Sequence, residues 1–101
     1  MDFDFLAVAQ LELEESFDYY EERREGLGTE FVREVYRAIQ RILKHPRAWA
    51  KLSGRTRRCR TNRFPYGIIY QVREEENAIL IVAVAHLSRK PGYWQDRLKE
   101  L

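Results

Sequence analysis

Two hydrophobic periods divide this chain. In its first half apolar residues recur every three or four positions: Leu6, Ala9, Leu13, Phe17 and Tyr20 make one stripe, and Phe31, Val35, Ala38, Ile39 and Ile42 make a second. Both stripes predict amphipathic helices. Glu12, Glu15 and Glu22 fall on the polar side of the first and are expected to face solvent. Gly26-Leu27-Gly28 interrupts the pattern, because glycine tolerates the positive φ that ends a helix. Thr29 is expected to cap the second helix, with Glu30 in its first turn. Lys44 and His45 suit a helix C-terminus, and Pro46 stops the run. A connection this short makes the helices antiparallel neighbours.

After a segment at 47–55, expected to be a loop anchored by Trp49 and Leu52, the period changes to two. Through residues 57–63, Arg58, Arg60 and Asn62 share one face, and Arg57, Cys59, Thr61 and Arg63 share the other. Phe64-Pro65 predicts a bend into a strand at Tyr66–Arg73, and Glu74-Glu75-Glu76-Asn77 a hairpin turn. Residues 78–85, AILIVAVA, are apolar throughout, the mark of a strand buried on both faces. Lys90-Pro91-Gly92 breaks the chain again before a short terminal helix from Tyr93 to Leu101. Residues 2–7 offer a further short strand. The predicted class is α+β: an antiparallel two-helix hairpin on one face of a twisted, mainly antiparallel sheet of three to four strands.

A chain of 101 residues suits one domain with one modest core. At 45% hydrophobic and 34% charged residues it is too apolar to be disordered. Cys59 is the only cysteine, which rules out an intrachain disulfide and fits a reducing, cytoplasmic setting. No apolar run approaches the ~20 residues of a membrane span, and the acidic start lacks the basic region of a signal peptide. The net charge of +2 conceals an uneven distribution: residues 1–50 carry −4 and residues 51–101 carry +6. Such asymmetry points to a polyanion-facing half.

The basic half is concentrated in TRRCRTNRFPY, with Arg57, Arg58, Arg60 and Arg63. With Cys59 and Thr61 inward, Arg58 and Arg60 project together, about 6.5–7 Å apart. That is close to the spacing of adjacent phosphates, and the guanidinium fork suits phosphate. An edge strand that uses charge against aggregation reads the same way. A second cluster lies at 84–94, where His86, Arg89, Lys90 and Tyr93 bring an imidazole, two cations and a phenol together. These groups suit phosphate binding, base stacking or proton transfer, and equally a polar exit loop. The two histidines and one cysteine have no metal-ligand spacing, so neither a metal nor a cofactor is expected. Phosphate-cradling glycine loops and nucleophile elbows are also lacking.

Taken together, EESFDYYEERREGLG, RILKHP, RRCRTNRFPYGIIYQV and ILIVAVAHLSRKPGYW resemble the RelE/ParE toxin superfamily, from about residue 5 to 97. The resemblance implies a small cytoplasmic toxin of a bacterial type II toxin–antitoxin, or plasmid stabilisation, system. Its partner would be a cognate antitoxin, whose disordered segment folds on binding within a toxin–antitoxin hetero-oligomer. RelE-like members cleave mRNA on the ribosome without a metal, using basic side chains and a late tyrosine. ParE-like members inhibit DNA gyrase. By position Arg58 and Arg60 match the nuclease basic residues and Tyr93 the late tyrosine, with His86 available as proton carrier. Gly67, however, stands where those nucleases tend to carry arginine, which favours the ParE-like branch. In that reading Arg58, Arg60, Arg63, Arg89 and Lys90 bind the target. A non-toxic interaction module of the same fold is a further alternative.

Overall fold

The helical and strand periods translate into β1 (Asp2–Phe5), α1 (Ala7–Arg23), α2 (Leu27–Lys44), β2 (Lys51–Ser53), β3 (Thr56–Arg60), β4 (Tyr66–Arg73) and β5 (Ala78–His86). A 3₁₀ turn over Gln95–Leu98 follows. The computed structural model describes residues 1–99. The five strands lie in the order β1-β5-β4-β3-β2, with β1 parallel to β5 and every other pairing antiparallel. Both helices cover one face, giving the expected α+β fold.

The sheet is wider than expected. Residues 2–5 do form a strand, and so does Lys51–Ser53, inside the segment expected to be a loop. All three residues of β2 are exposed, so Leu52 is not a core anchor, whereas Trp49 does pack against the core. The second helix is also capped differently. Gly26, at φ 89°, precedes α2, and Thr29 lies exposed within the first turn. The Glu21 carboxylate reaches over from α1 instead and accepts the N–H groups of Gly26 (2.8 Å) and Gly28 (2.9 Å). Two donors with no intrahelical acceptor are thereby satisfied. The terminal helix is reduced to its 3₁₀ turn, and residues 100 and 101 of that expectation lie outside the described residues.

β5 lies inside the sheet, between β1 and β4, as its apolar sequence requires. Pairing passes from Ile69–Ala83 to Tyr70–Ile81 and leaves Val82 as a bulge. The bulge shifts the alternation: Ile79, Ile81 and Val84 join the core beneath the helices. Val82, Ala83 and Ala85 form a second cluster with Ile69 and Trp94. The sheet's other face is therefore partly covered by the chain's last segment.

Cys59 is fully buried against α2, and burial pushes its thiol pKa up. Tyr70 is also fully buried, donates its hydroxyl to the Pro46 carbonyl (2.7 Å), and has its pKa pushed up to about 12 by burial. In the unfolded chain this phenol ionises near 10, so stability attached to it is complete below pH 10 and declines up to about pH 12. Chemical denaturation between pH 9 and 12 is expected to show a shallower alkaline decline for Tyr70→Phe than for the parent.

Candidate functional site

The sequence of β3 places Arg58 and Cys59 on opposite faces of the sheet. Cys59 turns to α2, and Arg58 turns to the face without helices. There it lines an open cleft of about 300 Å³. Ile69 and Ala85 supply its apolar floor, and Leu52 and Ser53 come from β2. The segment from His86 to Gln95 forms the remaining wall. Arg58, His86, Arg89, Lys90 and Tyr93, predicted from two separate stretches of sequence, meet in this one cleft.

Gly67 makes room for Arg58. A Cβ added there would sit 2.7 Å from Arg58 Cδ and 2.8 Å from Cγ. The aliphatic stem of Arg58 thus lies over the glycine, in space that a side chain on β4 would fill. Among the described residues, no carboxylate pairs with Arg58, Arg89 or Lys90. The cleft is therefore a cationic recess with apolar walls, able to bind an anion by charge-assisted hydrogen bonds.

The other predicted cations lie elsewhere. Arg60 stands opposite Gly67 at the end of β3, exposed and outside the cleft lining. Arg63, at φ 69°, is held on the helix side by Glu30 at 2.7 Å. That hydrogen bond, followed by one from Arg24, holds the Glu30 carboxyl below its usual range.

His86 and Tyr93 have their polar atoms engaged. His86 Nδ1 accepts the Ser88 N–H at 3.0 Å, which leaves the ring proton on Nε2, and lies 2.7 Å from the Ser88 hydroxyl. Tyr93 donates its hydroxyl to Glu12 Oε2 at 2.7 Å. Burial, then the Glu12 hydrogen bond, pushes the phenol pKa far up, so the phenol stays protonated. The Arg89 guanidinium lies over the Tyr93 ring, 3.9 Å from its centre.

Glu12 overturns its expected solvated position. It is 12% exposed and meets Arg97, 16% exposed, through two contacts of 2.8 Å. It also accepts the Val84 N–H at 3.0 Å, while Arg97 donates to the Val82 carbonyl at 2.9 Å. β1 pairs with β5 only through Ile81, so beyond that point these side chains satisfy the strand's open edge. Glu12 is adjacent in sequence to Leu13 and three residues from Ala9, at the border of the apolar stripe, which was the one signal of its burial.

The model of the ParE toxin of type II toxin–antitoxin systems, parDE, matches residues 4–91. The chain belongs to this family. A toxin of this type has an antitoxin as its partner. Among solved structures, a chain of the chromosomal ParDE TA system from P. aeruginosa resembles this ParE-family toxin with a TM-score of 0.74 at 14% identity, covering 87% of this chain and 97% of that one. The isolated E. coli RelE toxin resembles it with a TM-score of 0.65 at 17% identity, covering 99% of this chain and 98% of that one. At these identities the likeness shows the fold alone. A comparison with curated protein sequences found no match. Among the described residues, no helix is long and apolar enough to cross a membrane.

Proposed function

We propose that this ParE-family toxin acts in the cytoplasm by inhibiting DNA gyrase, and that the cationic cleft is its recognition surface for that target. The observation that carries this reading is how the cleft's polar groups are engaged. The Tyr93 hydroxyl donates its hydrogen bond to Glu12, and His86 Nδ1 accepts from Ser88. Besides the single His86 Nε2–H, what remains is fixed positive charge on Arg58, Arg89 and Lys90 beside an apolar floor. Such a surface favours binding over acid–base chemistry, which needs groups free to take and release protons. Gly67, filled by the Arg58 stem, supports the same reading. Arg60, exposed at the strand end, extends the positive surface, and Arg63 serves the helix–loop junction through Glu30.

A second reading rests on Arg58, His86 and Tyr93 sharing one cleft. In a RelE-like, metal-independent endoribonuclease, Arg58 and Arg60 would neutralise the crowded phosphate. His86 Nε2 would handle the proton, and Tyr93 would stack on a base. Purified toxin is expected to block gyrase supercoiling and to leave ribosome-bound mRNA intact. Cleavage of that mRNA with supercoiling unaffected would replace the first reading with the second.

A further inference from the structure

We propose that Glu12 is a positioning residue of the cleft: from α1 it fixes the cleft's C-terminal wall and, through Tyr93, the seat of Arg89. The inference rests on the cleft being the functional surface. Glu12 lies on the helix hairpin and does not line the cleft. Its carboxylate is shared among three donors from β5 and the final segment: the Val84 N–H, the Tyr93 hydroxyl and the Arg97 guanidinium. Arg97 in turn donates to the Val82 carbonyl, so the segment is tied to the strand edge directly by that bond and, through its ion pair with Glu12, to the Val84 N–H.

This tie has a direction. The Tyr93 hydroxyl is held from the α1 side, while the face of its ring carries Arg89 at 3.9 Å. Arg97 lies 5.1 Å from the same ring. Gly92, at φ 77°, sets a turn immediately before Tyr93, and Trp94 inserts beside Ile69, Val82 and Ala85 immediately after it. The ring is thus fixed by its neighbours in the chain at one end and by Glu12 at the other. A carboxylate on the helix side of the molecule thereby orders a cation that faces the cleft. Nothing in the loop itself gives Arg89 another seat, because no carboxylate among the described residues pairs with it. A long side chain held in one orientation loses its rotamer entropy before the target arrives, which strengthens binding without any new contact.

The first test uses the free, full-length toxin and requires no target. Ring currents from Tyr93 shift the Arg89 δ-proton NMR signals, because the guanidinium stacks on the ring. In Glu12→Gln those signals are expected to move to random-coil positions while the signals of β3 and β4 stay in place. Unmoved Arg89 signals would overturn the proposal. The second test is a cycle on the dose that half-inhibits supercoiling. Glu12→Gln is expected to raise that dose about tenfold in the parent and less than about twofold in an Arg89→Ala background, since residues acting through one another are not additive. Glu21→Gln, which weakens the α2 cap far from the cleft, serves as the stability control and is expected to leave the dose unchanged. Equal factors in both backgrounds, or a dose that merely follows melting temperature in all variants, would assign Glu12 a structural role only. If the parent leaves gyrase untouched, the gyrase reading fails alone; the same cycle run on growth arrest, with the NMR result, still decides the role of Glu12.

Discussion

Arg58→Glu is expected to abolish toxicity without unfolding the chain. Arg58 brings its guanidinium into the cleft with Arg89 and Lys90, and no carboxylate among the described residues competes for it. The substitution removes one cation and sets a carboxylate where an anionic group of the partner would sit. Charge reversal at a complementary surface costs several kcal/mol, so a loss of potency on the order of 100-fold or more is expected. Stability should change by less than about 1 kcal/mol, because the side chain is half-buried and only its stem packs, over Gly67. Thermal denaturation checks the fold, and a dose–response of target inhibition checks function. The parent's potency should also fall as salt rises, and the residual potency of the variant should respond far less. Arg58→Lys separates the two properties of the residue. It keeps the charge and loses the planar fork, so an intermediate potency would show that geometry contributes beyond charge. A variant with Arg58→Glu that remained as potent as the parent would remove the cleft from the mechanism.

The layout of this cleft was partly legible in the sequence, and the residues show where legibility ends. Alternation along TRRCR put Cys59 inward and Arg58 outward, and both positions hold, since a strand's side chains alternate whatever surrounds them. The unbroken apolar run of β5 marked an interior strand for an equally local reason. Lys51–Ser53 gave no such signal: its three residues are all exposed, and it is a strand only through backbone pairing with β3. The α2 cap was misassigned to Thr29 because the group that satisfies the first turn belongs to the previous helix. Val82 was invisible as a bulge, since an all-apolar run reads alike in either register. Glu12 was the largest miss. Its partners Tyr93 and Arg97 lie 81 and 85 residues along the chain, and no period carries information over that distance.

The same residue yields the largest expected effect on stability. Glu12→Ala leaves the mostly buried Arg97 without its carboxylate, at a cost of about 3–5 kcal/mol. That is a large part of the ~5–15 kcal/mol that holds a native domain together. A urea titration is expected to show this loss as a lower midpoint with an unchanged slope. The informative comparison is the double variant Glu12→Leu with Arg97→Met. Replacing a buried ion pair by apolar residues of similar size is often neutral or stabilising, because the cost of desolvating both charges disappears. Here the pair has a second duty. Glu12 accepts the Val84 N–H and Arg97 donates to the Val82 carbonyl, on a stretch of β5 edge that β1 does not reach. Leucine and methionine can supply neither bond, and each orphaned backbone group costs about 1–3 kcal/mol. Where the apolar replacement itself is neutral, the double variant should therefore be about 2 kcal/mol or more less stable than the parent. A double variant as stable as the parent would mean that the two backbone groups find other partners, and that the pair is retained for the cleft wall rather than for the strand edge.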